Sequence, residues 1–203
     1  RNRKVGNQLM QKKKFNSELD KEDKENYEKQ VLAAKKCELD SWIKTGSYKA
    51  EQYDEGKHKN VMTGRWVLTW KKLDPNTVVE WKEDKTVDLD NTRRIKARFV
   101  IRGFQDNQKD ETKTDAPTTS RTALYALLAW AAWNGLEIKT IDISTAFLQG
   151  REINEEVDGR KVEVVPPVEA DELNDVVWKL IKPVYGLVDA PLRWYEELKK
   201  KCM

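Results

Sequence analysis

The chain has 203 residues, enough to bury a core in one large domain or two small ones. Charged residues make up 36% of the sequence, yet eight tryptophans argue against disorder, because disordered segments are poor in aromatic residues. The net charge of +3 is too small to indicate a nucleic-acid partner by itself. Any basic surface must therefore come from the arrangement of the charges.

The residue types available exclude several classes of site. Cys37, Cys202 and the single histidine, His58, are too few and too far apart for a zinc site or a disulfide framework. A serine or cysteine nucleophile would lack a histidine base, because His58 lies in a loop rich in glycine and lysine. No phosphate-binding glycine pattern and no membrane-length apolar run occurs. We therefore expect an intracellular protein, cytoplasmic or nuclear, with no membrane partner.

The N-terminal part of the chain is strongly charged. Residues 1–14 carry basic but no acidic side chains, which predicts a flexible tail. A charged helix is expected from Ser17 to Ile43, with Ser17 as its cap and Gly46 marking its end. Its apolar face is thin, so we expect this helix to lean on the domain rather than enter its core; the face consists of Leu32, Leu39 and Ile43.

Alternating apolar and polar residues then predict strands. In "GRWVLTWKK", one face carries Trp66, Leu68 and Trp70. A turn at residues 74–76 and a return strand at residues 77–81 should follow, and then a polar, acidic loop over residues 82–92. The segment "IKARFVIRG" is expected to be a strand with one basic face, formed by Lys96, Arg98, Val100 and Arg102.

The remaining pattern mixes helices and strands. A helix is predicted from Ser120 to Asn134 with a buried stripe that includes Leu124, Leu127 and Leu128. A short strand should follow at 136–143, then a helix or turn at 144–150 and a partly extended segment at 176–187. The last helix should carry Pro191 in its first turn. This mixture indicates the α+β class.

Carboxylate chemistry is the class that these exclusions leave, and Asp142 is its best candidate. It stands at the end of the predicted strand 136–143, where a carboxylate can be held rigidly against a cleft. Spacing alone favours a plainer interpretation, since an aspartate between a strand and a helix is commonly an N-cap. The residues by themselves leave both interpretations open.

Six blocks of sequence change this balance. In chain order they are WVLTWKK (66–72), KARFVIRGFQ (96–105), APTTSRTAL (116–124), IDISTAFLQG (141–150), PP (166–167) and WKLIKPVYGLVDAPLRWY (178–195). Together they resemble the reverse transcriptase domain of copia-type retroelements. The resemblance implies a fragment of an RNA-directed DNA polymerase with a partial right-hand fold, in which antiparallel strands and packed helices form the fingers and the first half of the palm.

The same resemblance implies a domain division and a set of partners. Residues 1–14 would form the basic flexible tail, residues 15–60 the charged helix and lead-in, and residues 61–203 the fingers and partial palm, truncated before an Asp-Asp hairpin. The implied partners are an RNA or DNA template–primer, a deoxynucleoside triphosphate and the remainder of a polyprotein. In the complete enzyme two Mg²⁺ ions would catalyse nucleotidyl transfer.

Roles for individual residues also follow from the resemblance. Asp142 would be the first catalytic carboxylate, and it would bind metal together with the backbone carbonyl of Ile143. Phe147 would pack under the deoxyribose, although plain core packing is its alternative. The strand cations Lys96 and Arg98, continued by Arg102, would hold the triphosphate or the template, although they can also be simply the solvated face of a strand. The segment from Tyr185 to Pro191 would pack on the nascent base pair and the template.

Two departures from the family pattern affect the prediction. Val188 and Asp189 stand where a lysine and a glutamine are usual, a change that we expect to weaken contact with a phosphate backbone. No adjacent Asp-Asp pair occurs in the chain, and one carboxylate cannot hold two Mg²⁺ ions. We therefore expect no polymerase activity from this chain alone. A non-catalytic nucleic-acid-binding remnant, or an interaction module built on the helix Ser17–Ile43, remains an alternative.

Overall fold

A computed structural model describes residues 18–73, 84–88, 92–172 and 175–203. The predicted tail at 1–14, the turn at 74–76 and the return strand at 77–81 lie outside these residues. In chain order the helices and strands are α1 (Lys21–Asn26), α2 (Glu28–Lys44), β1 (Tyr48–Gln52), β2 (Val61–Met62), β3 (Gly64–Lys72), β4 (Arg93–Ile101), α3 (Arg121–Trp133), α4 (Glu155–Asp158), β5 (Glu163–Val164), β6 (Val176–Leu180) and α5 (Ala190–Cys202).

Strands β3 and β4 form a two-stranded antiparallel ribbon whose faces follow the predicted alternation. Nine residue pairs join the strands, from Gly64 opposite Ile101 to Lys72 opposite Arg93. Leu68, Trp70 and Phe99 are buried on one face, as period-two patterning requires. The strand predictions for "GRWVLTWKK" and "IKARFVIRG" are confirmed.

The predicted N-terminal helix is two helices. The carboxylate of Asp20 caps α1 by accepting a 2.8 Å hydrogen bond from the Asp23 amide. The helical conformation is interrupted at Tyr27, and α2 starts at the next residue. Gly46, with φ of +61°, ends α2 as expected. The helix therefore starts later than predicted, with Asp20 as its cap; Ser17, the predicted cap, lies outside the described residues.

Helix α2 enters the core instead of leaning on the domain. Its buried face contains Val31, Leu39 and Trp42, and Trp42 is completely buried against Phe99 of β4 and Trp178 of β6. Leu32 and Ile43, which we assigned to the apolar face, are exposed. That prediction was wrong because it followed the aliphatic residues and missed Trp42, a large side chain that is completely buried.

The second sheet has the strand order β1-β6-β5-β2. Strand β6 pairs antiparallel with both β1 and β5, and the short β2 runs parallel to β5. Side chains from this sheet, from β4 and from α2 meet in one core that includes Met62, Val164 and Leu180. Mixed helices with mainly antiparallel sheets confirm the α+β class.

Helix α3 has the predicted extent but not the predicted burial. Ser120 caps it through a 3.1 Å hydrogen bond from the Ala123 amide, and Gly135 follows its end with φ of +61°. Its apolar side chains nevertheless face solvent: Leu127 is 58% exposed and Trp133 is 89% exposed. The stripe specifies a buried helix, and no surface within the described residues covers it.

A buried carboxyl group connects α2 to the ribbon. Glu38 accepts hydrogen bonds from the Trp42 indole (3.3 Å) and from the Phe99 amide (3.4 Å). Burial raises the pKa of Glu38, and these hydrogen bonds only partly oppose that effect. The proton is therefore bound more tightly in the folded state, so the contribution to stability is present at low pH and is lost as the pH rises through the raised pKa.

We expect the Glu38→Gln variant to be more stable than the wild type at neutral pH, because the neutral amide keeps the acceptor oxygen without burying a charge. Its advantage should shrink as the pH falls toward the usual carboxyl range, about 4 to 4.5. Urea denaturation midpoints across this range measure the difference. The exposed Asp40 on the same helix provides the control, since Asp40→Asn should show no such trend. A Glu38→Gln variant that is less stable at every pH would contradict this explanation.

Candidate active site

The face of the β3–β4 ribbon opposite α2 is cationic. The strand register places Val67 opposite Arg98, Thr69 opposite Lys96 and Lys71 opposite Arg94. Because alternate residues of a strand point to one side, all these side chains lie on the same face, together with Arg65. This set of residues, called the basic face below, therefore contains Arg65, Lys71, Arg94, Lys96 and Arg98.

Among the described residues, three cations of the basic face lack a carboxylate partner. Arg65 contacts Glu18 at 3.3 Å and Arg94 contacts Asp84 at 3.8 Å, whereas Lys71, Lys96 and Arg98 form no ion pair with any described residue. Burial lowers the pKa of Lys96, and the neighbouring charges of Arg98 and Lys71 lower it further. Crowded, partly desolvated cations of this kind are stabilised by an anion, so the basic face is suited to binding phosphate.

Arg98, Tyr185 and Phe147 form a continuous line of contacts. The Arg98 guanidinium carbon lies 5.4 Å from the centre of the Tyr185 ring. The Tyr185 ring meets the Phe147 ring edge to face, with 5.1 Å between centres. Three residues from separate segments, each assigned a role by the resemblance, thus come together at one edge of the basic face.

The backbone fixes this junction. The Ile101 amide donates a 2.8 Å hydrogen bond to the Tyr185 carbonyl. Gly186 has φ of +99°, and a Cβ atom there would lie 1.9 Å from the Ile101 carbonyl oxygen. A Cβ atom at Gly103 would lie 2.1 Å from the Gly186 carbonyl oxygen. Only glycines permit this approach, so Tyr185 is held against the end of β4.

Asp142 lies in an exposed segment without regular structure. Residues 136–143 form neither a helix nor a strand, so the predicted strand is wrong there; a strand needs a paired neighbour, and none of the described strands supplies one. The N-cap alternative is also wrong. The turn Ala146–Gln149 starts after Thr145, and Asp142 makes no hydrogen bond or ion pair with the described part of the chain.

The carboxylates near Asp142 are too few for a magnesium pair. Among the described residues, no group of three possible metal ligands includes Asp142. Hard cations such as Mg²⁺ require several oxygen ligands, and Asp142 with the Ile143 carbonyl offers only two residues. Within the described residues, Asp142 and Ile143 therefore do not make up a complete magnesium site.

Two other predicted residues lie apart from the line of contacts. The exposed Arg102 follows the end of β4, and its guanidinium donates a 3.0 Å hydrogen bond to the Thr63 hydroxyl. Pro191 occupies the first turn of α5, as predicted, and is exposed. The structure does not join either of them to Arg98, Tyr185 or Phe147 through a described contact.

Asp189 has a structural role that its position in the sequence did not reveal. It is buried and forms ion pairs with Arg160 and, at 2.6 Å, with Arg193. Its side chain faces two arginines in the interior, and the expected weakening of a phosphate contact at Val188 and Asp189 stays a prediction.

A family model described as "Reverse transcriptase (RNA-dependent DNA polymerase)" matches residues 53–203. The "Retrovirus-related Pol polyprotein from transposon TNT 1-94" of Nicotiana tabacum is 31% identical over 82% of this chain and 11% of its own length. The "Truncated transposon Ty1-A Gag-Pol polyprotein" of Saccharomyces cerevisiae is 33% identical over 75% of this chain and 13% of its own. The "Retrovirus-related Pol polyprotein from transposon RE2" of Arabidopsis thaliana is 33% identical, with coverages of 64% and 9%. No solved structure matches the chain.

Proposed function

Since this chain belongs to the reverse transcriptase (RNA-dependent DNA polymerase) family, we propose that it provides the fingers and the first catalytic carboxylate of a copia-type retroelement polymerase. The chain spans only a small share of its relatives, 11% of the tobacco protein and 13% of the yeast one. The reaction, nucleotidyl transfer from a deoxynucleoside triphosphate to a template–primer, is therefore proposed for the complete protein. The line of contacts Arg98–Tyr185–Phe147 is the observation that carries the proposal.

The contacts support specific roles. The unpaired cations Lys96 and Arg98 bind the triphosphate or the template backbone, and Tyr185 and Phe147 offer aromatic surfaces beside them for the nucleoside. Asp142 provides the first metal ligand. Reverse transcriptases use a divalent metal ion, and two Mg²⁺ ions with Asp142, Ile143 and carboxylates from elsewhere in the polymerase fit the proposed reaction. Arg102 and Pro191 keep their proposed contacts with the template.

The exposed apolar residues of α3 support a polyprotein context. They include Leu124, Leu127, Trp130 and Trp133, which lie around the helix rather than on one side, and Ile138 and Ile141 in the following segment are also exposed. A helix that is apolar all round is normally buried. We propose that another segment of the same polymerase packs on it, completing a right-hand fold in which residues 61–203 are fingers and partial palm, residues 15–60 the lead-in and residues 1–14 the tail. The proposed location is the cytoplasm or nucleus.

A second function, nucleic-acid binding without catalysis, is favoured by the basic face. Its cations need no metal to attract a phosphate backbone, so this activity would belong to the isolated chain.

The third hypothesis, an interaction module built on the N-terminal helix, has less support. Trp42 and Leu39 of α2 are buried in the core, so deletion of that helix would disrupt the fold itself. None of the helices in the described residues is long and apolar enough to cross a membrane.

Template–primer binding by the 203-residue chain tests the proposed function. We expect affinity for a fluorescent RNA/DNA duplex to fall steeply with salt, and the Lys96→Ala and Arg98→Ala variants to lose about one unit each from the log–log salt slope. Fluorescence anisotropy at several salt concentrations measures that slope. The exposed Lys44, at the end of α2, provides the control, since Lys44→Ala should leave the slope unchanged. An affinity that does not change with salt concentration, or that neither strand variant alters, would show that the basic face does not bind the template–primer.

A further inference from the structure

A cluster of ionisable residues at the edge of the larger sheet is not used by the proposed polymerase function. Glu51 lies on β1 and Glu163 on β5, and the register across β6 places both side chains on the same face of the sheet. His58, from the loop after β1, completes the group, and its Nδ1 atom bonds Glu163 Oε1. One possible ligand atom from each residue lies within 4.8 Å of the other two.

A cation already occupies the centre of this cluster. The Lys161 ammonium nitrogen lies 2.6 Å from Glu163 Oε1, 3.5 Å from His58 Nδ1 and 3.9 Å from Glu51 Oε2. Every candidate ligand is therefore within 4 Å of one positive charge. Lys161 is 23% exposed, so its side chain can leave toward solvent, whereas Glu163 is 1% exposed and cannot.

The carboxylate of Glu163 retains an unused ligand atom. Its Oε2 atom is buried and has no hydrogen-bond partner in the described structure. An unsatisfied buried carboxylate oxygen is costly, and a bound cation would remove that cost. Glu163 and Lys161 also line an open cavity of about 530 Å³. An ion can reach the cluster through this cavity, and the displaced Lys161 side chain can move into it.

We propose that Glu51, His58 and Glu163 bind a first-row divalent metal ion such as Zn²⁺, which takes the place of the Lys161 ammonium group. An imidazole nitrogen with two carboxylates suits Zn²⁺ better than Mg²⁺, which prefers oxygen ligands alone. Bond lengths of about 2.0–2.2 Å require Glu51 to approach the ion by roughly 1–2 Å, and they require His58 Nδ1 and Glu163 Oε1 to exchange their hydrogen bond for separate bonds to the metal. Glu51, whose side chain is 39% exposed, can supply this movement. The sequence-based exclusion of a zinc site rested on the number of cysteines and histidines alone and did not count these glutamates.

Titration of the full 203-residue chain with Zn²⁺ tests this site directly. Because His58 is the single histidine, its imidazole NMR signals report binding without ambiguity. All measurements use a background in which the exposed thiols of Cys37 and Cys202 are replaced by serine, since thiolates also bind zinc. We expect saturable shifts of the His58 signals with Zn²⁺ and none with Mg²⁺ at the same concentration.

Variants separate a metal site from a purely structural ion cluster. Glu51→Gln, at a half-exposed position that should preserve the fold, is expected to weaken Zn²⁺ binding at least 10-fold. Lys161→Met should tighten binding at least 10-fold, because the competing ammonium group is removed. Lys182, 22% exposed and paired with Glu152, provides a matched control, and Lys182→Met should change nothing. Unshifted His58 signals at millimolar Zn²⁺, or a Lys161→Met variant that binds no tighter than the wild type, would overturn the proposal. Neither outcome depends on nucleic-acid binding.

Discussion

Replacement of Arg160 by methionine is expected to lower the free energy of unfolding by about 3–5 kcal/mol. The Arg160 guanidinium is 4% exposed and forms ion pairs with two buried carboxylates, those of Asp106 and Asp189. Burial by itself would raise the pKa of Asp106, but hydrogen bonds from Gln108, Asn60 and Arg160 outweigh it, so the pKa is lowered. Removing Arg160 leaves two buried charges without their shared cation.

The loss of stability in the Arg160→Met variant should involve more than the ion pairs of Arg160 itself. Asp189 also receives the Arg193 Nε–H at 2.6 Å, and Arg193 contacts Asp158 at 3.0 Å. This network joins the start of α5 to the loops that precede β5, and α5 follows the Tyr185–Gly186 junction directly in the chain. We therefore expect the Arg160→Met variant to loosen the position of Tyr185 as well as to lower stability.

Arg151 provides a control with the same chemistry and less burial. It contacts Glu196 at 2.7 Å and Asp158 at 3.0 Å, but its side chain is 40% exposed. Partly exposed ion pairs contribute about 0–1 kcal/mol, so Arg151→Met should cost no more than that. Urea denaturation of both variants measures the two losses. Equal, small losses would mean that the Arg160 network is not a principal source of stability.

The sequence predicted β3, β4 and α3 correctly, because local patterns of residues determine these elements. Alternation in β3 and β4 fixes which side chains are buried, because a shift of one residue would expose Trp70 and bury Lys96. Local caps likewise identified both ends of α3 through Ser120 and Gly135. These features follow from interactions among residues close in the chain.

Features that depend on distant partners could not be predicted in the same way. The apolar stripe of α3 specifies that something should cover the helix, but not what covers it. From the sequence, Asp189 was expected to be a surface residue near the phosphate backbone, whereas the structure places it in an ion pair with Arg160. The contact between Arg98 and Tyr185 likewise depends on the close approach of Gly186 to Ile101, which no local pattern indicates. The position of Asp142 in the candidate site stays a prediction.

Asp142 should be indispensable for polymerisation but not for the fold of this chain. Its carboxylate is exposed and makes no hydrogen bond or ion pair with the described residues, so the Asp142→Asn variant should unfold at the same denaturant concentration as the wild type. Loss of a charged metal ligand, by contrast, should reduce the rate of nucleotidyl transfer by at least about 10³-fold. A large effect on rate without an effect on stability separates a catalytic group from a structural one.

The most direct measurement is primer extension with a polymerase that contains residues 1–203 followed by downstream polyprotein sequence, once its unsubstituted form is shown to be active. We predict that Asp142→Asn abolishes extension, that Asp110→Asn, at another exposed carboxylate, leaves it intact, and that the 203-residue chain alone extends no primer. Extension by the Asp142→Asn polymerase at the unsubstituted rate, or by the isolated chain, would contradict the assignment of Asp142 as the first of several metal-binding carboxylates.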